Sequence, residues 1–189
     1  MAHVLLFHHA HGLTDGVRAF ADDLRTAGHE VTLPDLFDGE IFATVEEGVA
    51  HAEEVGFGTL IDAGVAAADG LPSDLVYAGF SLGAMPAQKL AQTRTGARGA
   101  LLYHSAVPLG EFAFPAQWPA DVPLQMHVMV DDPFEDLPVM QGLAATTGGE
   151  LFTYPGDAHL FTDRSLGDHD PEAGRLALER TLAFLDRLR

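Results

Sequence analysis

Five residues near the middle of the chain, Gly79-Phe80-Ser81-Leu82-Gly83, set a serine between glycines placed two positions to either side. A serine hydroxyl is a poor nucleophile until a base takes its proton. The G-x-S-x-G spacing suits a sharp strand–turn–helix elbow, which lifts the hydroxyl out of a sheet and aims a helix N-terminus at developing negative charge. The same five residues also fit an ordinary glycine-rich turn around an inert serine, so the rest of the constellation has to come from elsewhere. A base is available in TYPGDAHLF: His159 lies beyond Pro155-Gly156, on a loop from which an imidazole can swing toward Ser81. An acid is available in VMVDDPF, where Asp131 and Asp132 fall between the serine and the histidine in chain order. Such an acid would orient the imidazole and stabilise its protonated form. Spacing does not separate the two aspartates, and an aspartate before a proline is also a common turn former.

For these groups to meet, the fold must carry residues 81, 131–132 and 159 to one edge. Apolar runs alternate with amphipathic stretches in a way that does this. His3–His8 (HVLLFH) reads as a strand, followed by a helix over Thr14–Gly28 with Val17, Phe20 and Leu24 on one face and Gly28 as its stop. Glu30–Leu33 is a second strand ended by Pro34, with helices expected at Val45–Val55 and Thr59–Asp69. Leu75–Phe80 (LVYAGF) runs as a third strand into Ser81, and a helix follows from about Leu82 to Thr93 with Pro86 in its first turn. Gly99–His104, Leu124–Val130 and Glu150–Tyr154 are further strands; Pro138–Thr147 and Pro171–Leu188 are helices. Strands alternating with helices predict an α/β fold, a mostly parallel sheet of about six to seven strands covered on both faces. In such a sheet ligands bind outside the carboxyl ends of the strands, where His8–His11, Ser81, His104, Asp131-Asp132 and His159 all fall. The order Ser, Asp, His is that of the α/β-hydrolase arrangement.

The chain has 189 residues, enough for one full hydrophobic core and short for two, so a single domain over residues 1–189 is expected. One irregular stretch, Ala106–Pro123, holds four prolines with Phe112, Phe114 and the only tryptophan, Trp118, and suits a small lid or pocket wall rather than a cap domain. A net charge of −18 argues against nucleic acid and anionic membrane surfaces as partners and leaves a small molecule as the expected ligand. No apolar run approaches the roughly 18 residues of a membrane span, and the N-terminal residues lack the basic start of a signal peptide. With no cysteine there is neither a disulfide nor a thiolate nucleophile, and a cytoplasmic monomer or small homo-oligomer is the default reading.

Beyond its elbow the chain resembles the dienelactone hydrolase family of small α/β-hydrolases, from HVLLFH through GFSLGA and VDDPF to YPGDAHLF and the last helix. GFSLGA is similar to the family's nucleophile elbow, which often carries cysteine where this chain has Ser81. VDDPF resembles the acid segment and points to Asp132; YPGDAHLF resembles the histidine segment and points to His159. The resemblance implies no large cap domain, no cofactor, and an oxyanion hole from the N–H of Leu82 and that of Ala10. It also implies that the family's first N-terminal strands are missing or shortened here. Two departures bear on the substrate. The founding enzymes hold a substrate carboxylate with arginines, one of them four residues after the catalytic histidine, and that position is Asp163 here. The other lies before the nucleophile, where this chain has no lysine or arginine between Arg25 and Lys89. A small ester, lactone or thioester of low charge is therefore the expected substrate, cleaved through an acyl-enzyme on Ser81.

The run HHAH places His9 and His11 on one face of an extended segment. With no third ligand at a fixed spacing and no H-E-x-x-H, no metal is expected, and His9 and His11 read as polar lining of the pocket mouth. His9 also falls near a position where the family often has an acid. His104 is either a substrate contact or a hydrogen-bonded core histidine, and Phe42, Phe112, Phe114 and Trp118 are candidates for an apolar pocket wall. No G-x-G-x-x-G follows the first strand and no phosphate-loop motif exists, which removes the nucleotide-binding reading of the same βα pattern. The remaining rival is a non-catalytic small-molecule-binding protein on the hydrolase fold.

Overall fold

Three stretches, HVLLF, LVYAGF and GALLY, show almost no polar alternation, the pattern of strands buried on both faces. In the computed structural model, which describes residues 1–188, they are the centre of one parallel sheet. The strands are β1 (His3–Phe7), β2 (Glu30–Thr32), β3 (Leu75–Phe80), β4 (Gly99–Tyr103), β5 (Leu124–Met129) and β6 (Glu150–Tyr154), in the order β2-β1-β3-β4-β5-β6. The helices are α1 (Asp15–Thr26), α2 (Val45–Val55), α3 (Phe57–Ala66), α4 (Ala84–Thr93), α5 (Leu137–Thr147) and α6 (Pro171–Arg187).

Successive strand residues point to opposite faces, so each strand feeds two cores. Val4 and Leu6 of β1 pack with Val17, Phe20 and Leu24 of α1 and Phe184 and Leu185 of α6. Leu5 and Phe7 pack on the other face with Ala87 and Leu90 of α4 and Met140 and Leu143 of α5. Local chemistry sets the helix ends. Thr14 caps α1 by accepting from the Val17 N–H at 3.2 Å, and Asp170 caps α6 by accepting from Glu172 and Ala173 N–H at 2.9 Å each.

Expected and observed elements differ at their ends. The helix expected from Thr59 begins at Phe57, because Gly56 at φ 93° breaks the chain direction between α2 and α3. The helix expected from Leu82 opens with a 3₁₀ turn over Ser81–Gly83 and becomes α-helical at Ala84. His8 and His104, expected as the last residues of their strands, lie just outside them, and His104 takes φ +64°.

The sheet order changes direction once, between β1 and β3. The chain leaves β1 for β2 on one side and returns to place β3 on the other. The loops leaving β1 and β3 therefore separate to opposite faces and open a crevice at the carboxyl edge. Segment 106–123 is no cap domain: it is held to α4 by two glutamines. Gln88 Nε2 donates to Val107 O at 2.7 Å, and Gln92 Nε2 donates to Leu109 O and Gln117 O at 3.1 and 3.2 Å.

Candidate active site

Ser81 sits at φ +49°, in the left-handed region that non-glycine residues seldom adopt. Such strain persists where the surroundings over-determine the backbone, and both flanking glycines do so here. A Cβ on Gly79 would lie 2.0 Å from Gly83 O, and one on Gly83 would lie 2.5 Å from His8 O. The elbow thus closes on itself and against the end of β1, and only glycine fits either place.

The hydroxyl this turn presents donates to His159 Nε2 at 2.7 Å. The other ring nitrogen, Nδ1, donates to Asp132 Oδ2 at 2.7 Å, and both side chains of that pair are buried. Asp132 Oδ1 accepts from the Phe134 N–H at 2.9 Å, which fixes the carboxylate from its far side. Asp131 is exposed and its N–H bonds Gly156 O, which ties the acid segment to the histidine loop. Of the two aspartates left open by spacing, Asp132 is the one in contact with His159.

Leu82 follows Ser81 at the start of the helix. Ala10 is buried on the loop after β1, packed with Leu82 and Phe37, and in this loop Gly12 N–H donates to His9 O at 2.9 Å. The same oxygen accepts from His8 Nδ1 at 2.8 Å, while His8 Nε2 accepts from Leu36 N–H at 2.9 Å. His8 is therefore the neutral Nδ1–H tautomer, and burial lowers its pKa to about 4, against the smaller pull of the His9 carbonyl. Because a trans peptide points its N–H opposite to its C=O, anchoring His9 O also sets the direction of the Ala10 N–H.

The other residues expected to line the site fall differently. His9 is 1% exposed and gives Nε2 to Asp163 Oδ2 at 2.8 Å, so it is a buried anchor rather than a substrate contact. His104 is fully buried: Nε2 pairs with Thr162 Oγ1 at 2.7 Å, and Nδ1 has no hydrogen-bond partner among the described residues. Burial, and then the neighbouring His159, push its pKa well below the ordinary histidine value, so it stands as a neutral ring 5.9 Å from that of His159. His11 is the one of the three that borders an open space. With its Nδ1 donating to Phe42 O at 2.9 Å, it lines a cavity of about 310 Å³ together with Thr44, Glu46, Phe134 and Asp168. The Phe134 ring in that wall also packs 4.9 Å from the ring of His159. Trp118 turns away: its indole donates to Val122 O at 2.6 Å and packs on the core. Phe114 is fully exposed, Phe112 half-buried, and Phe42 packs on Phe37 and His51. The segment instead walls a separate cavity of about 340 Å³ against α5, through Pro108, Leu109 and Ala116.

Sequence reasoning missed three contributors. Phe134 follows the acid and carries no motif. His8 reads from the sequence only as a strand end at the ligand edge, not as the anchor of the His9 carbonyl. Glu135 sits at the far side of Asp132, and only its distance of three residues from that acid could have singled it out. Among the described residues no group of three or more histidine, aspartate or glutamate side chains is placed to hold a metal.

The dienelactone hydrolase family model matches residues 1–188. The chain belongs to the dienelactone hydrolase family. Membership places it among hydrolases that act on ester bonds. A search of curated proteins returns no match. Among solved structures, the chain is similar to P91, a dienelactone hydrolase-like promiscuous phosphotriesterase from metagenomic libraries, with 18% identity and a TM-score of 0.75 over 100% of this chain and 87% of that one. A Klebsiella pneumoniae protein provisionally assigned to the dienelactone hydrolases has 16% identity and a TM-score of 0.74 over 97% and 85% of the two chains. A cold-adapted esterase from an Arctic intertidal metagenomic library has 19% identity and a TM-score of 0.65 over 98% and 82%. At these identities the likeness is one of fold.

Proposed function

We propose that this family member is a serine hydrolase that cleaves a small, weakly charged ester, lactone or thioester through an acyl-enzyme on Ser81. The observation that carries the reading is the continuous chain from Ser81 Oγ to His159 to Asp132, with 2.7 Å at each link. In this scheme Ser81 Oγ attacks the substrate carbonyl as its proton passes to His159 Nε2, and Asp132 holds the resulting imidazolium in place. The N–H groups of Leu82 and Ala10 receive the oxyanion; one such donor is typically worth about 3 kcal/mol in the transition state. The imidazolium then gives its proton to the departing alkoxide or thiolate. Water, deprotonated by the same nitrogen, attacks the acyl-enzyme and returns Ser81.

Charge supports this substrate class. The cavity whose wall shares Phe134 with the surroundings of His159 is bordered by the carboxylates of Glu46 and Asp168, with no lysine or arginine in its wall. Asp163, at the position of the family's carboxylate-binding arginine, is buried and already bonded. Arg164 is paired with Asp23. These features disfavour an anionic substrate and suit an uncharged acyl group.

Intact-mass measurement after exposure to a fluorophosphonate, with peptide mapping, tests the reading. One adduct on Ser81, lost in Ser81→Ala, is the expected result. A folded protein that takes no adduct would replace the acyl-enzyme with a binding role.

A further inference from the structure

The reaction uses one histidine–carboxylate pair; a second lies beside it, unused. His9 Nε2 donates to Asp163 Oδ2 at 2.8 Å, across 154 positions of sequence. Asp163 also accepts from Thr14 Oγ1 at 2.5 Å and, through Oδ1, from the Ser165 N–H and hydroxyl at 2.7 and 2.6 Å. A carboxylate has about four acceptor positions, and all are filled. Burial alone would raise the Asp163 pKa, but the bonds from His9, Ser165 and Thr14 outweigh it and hold the group ionised. Burial in turn keeps His9 below the ordinary histidine value in spite of Asp163. The pair is thus a neutral imidazole donating to a charged acceptor. The free end of the ring is occupied too, since His9 Nδ1 accepts from the His11 N–H at 3.3 Å.

Neither group can reach a substrate, but their backbones belong to the two loops on which the proposed chemistry depends. His9 begins the turn whose Ala10 N–H is the proposed oxyanion donor. Asp163 lies four residues after His159, and its N–H bonds Leu160 O at 2.9 Å. The fit against α1 is tight enough to exclude any side chain at Gly16, where a Cβ would lie 1.6 Å from Asp163 Oδ1.

We infer that His9 and Asp163 are positioning residues, a buried brace that locks the loop carrying the Ala10 N–H to the loop carrying His159. The inference rests on the acyl-enzyme reading above, and it gives a second purpose to a place where the family has a substrate-binding arginine. Here the charge is spent inside the protein, on holding the oxyanion donor in register with the nucleophile.

The test compares His9→Ala, Asp163→Ala and the double variant with His9→Gln and Asp163→Asn, using a p-nitrophenyl ester. The brace predicts a fall in kcat of about 10- to 100-fold in each alanine variant with KM within about 2-fold, the size expected for a misplaced catalytic group. The double variant should be no worse than either single one, because the two act as a unit. His9→Gln, which can still donate to Asp163, should recover much of the loss, and the midpoint of the pH–rate profile should stay where it is in the wild type. Additive losses, or a kcat per folded molecule equal to wild type, would overturn the brace. Amide NMR keeps the question open to test without turnover: the Ala10 resonance should shift or broaden in Asp163→Asn while that of Leu82 stays put. An unchanged Ala10 resonance would overturn the inference even if the enzyme is active. A wild type that fails to label at Ser81, with the Ala10 resonance still responding to Asp163→Asn, would remove the acyl-enzyme reading and leave the brace standing.

Discussion

The molecule contains two buried histidine–aspartate pairs of almost equal length, His159–Asp132 at 2.7 Å and His9–Asp163 at 2.8 Å. Both imidazoles donate to a carboxylate that also accepts a backbone N–H, and the pairs lie on neighbouring loops at one edge of the sheet. They differ at the other ring nitrogen. In His159 it meets the Ser81 hydroxyl, a group whose proton can leave. In His9 it meets the His11 N–H, a group whose proton stays. A buried dyad is therefore not by itself a catalytic feature. On the proposed reading, what the second nitrogen faces decides whether the pair moves a proton or holds a loop.

The sharpest way to separate the pairs is to remove what the first one faces. Ser81→Ala should lower ester turnover by about 10⁴-fold or more with the unfolding midpoint within experimental error of wild type, measured by steady-state rates and thermal denaturation. Asp132→Asn should cost about 10³-fold in kcat, because the wrong tautomer of His159 is favoured. Asp163→Asn, chemically the same change, should cost no more than about 100-fold. Equal losses from the two would erase the distinction.

Gly16→Ala strikes the second pair alone. Its methyl would displace the Asp163 carboxylate, and denaturant unfolding should show a loss of about 2–3 kcal/mol, from overpacking and the disturbed buried charge.

The first pair has a further neighbour in Glu135. Burial raises its carboxyl from the ordinary 4.5 to about 7, helped by the charge of Asp132 and opposed by hydrogen bonds from Ser105 and Ala106. A raised carboxylate pKa stabilises the fold most below the ordinary value, and that advantage disappears as pH rises through about 7. Glu135→Gln should therefore flatten the stability–pH curve across that window. Above it the variant should be more stable than wild type by about 1–2 kcal/mol, allowing for partial exposure of the side chain. Urea denaturation on either side of the window reads this directly. Asp131→Asn is the smallest change: with Asp131 exposed and outside the triad, kcat should stay within about 2-fold. A larger loss there than in Asp132→Asn would reassign the acid.

The elements that position the site were largely legible. LVYAGF and GALLY declared buried strands because a strand covered on both faces has no polar side to show. Gly79 and Gly83 declared an elbow because no other residue fits between touching backbones. The ends were less legible: a strained Ser81 forces a 3₁₀ turn before α4, and Gly56 breaks two helices that periodicity would place further apart. His9 was the chief misreading: the run HHAH suggests a polar pocket mouth, but the ring is buried and bonded to Asp163. Of the two readings open for His104, the structure shows the buried core histidine, bonded to Thr162.

The sequence alone determined which chemistry was available, since the types and order of Ser81, Asp132 and His159 and the glycine elbow are local facts of the chain. Tertiary structure alone decided which polar groups meet. That Asp132 rather than Asp131 reaches His159 depends on where β5 ends against β6. The closing of His9 on Asp163 depends on the long loop after β6 reaching back to the loop after β1, across the three strands that separate them in the sheet. Local patterns report burial and turning because those depend on near neighbours in sequence. A hydrogen bond spanning 154 residues depends on which loops the tertiary fold brings together, and no stretch of sequence carries that information by itself.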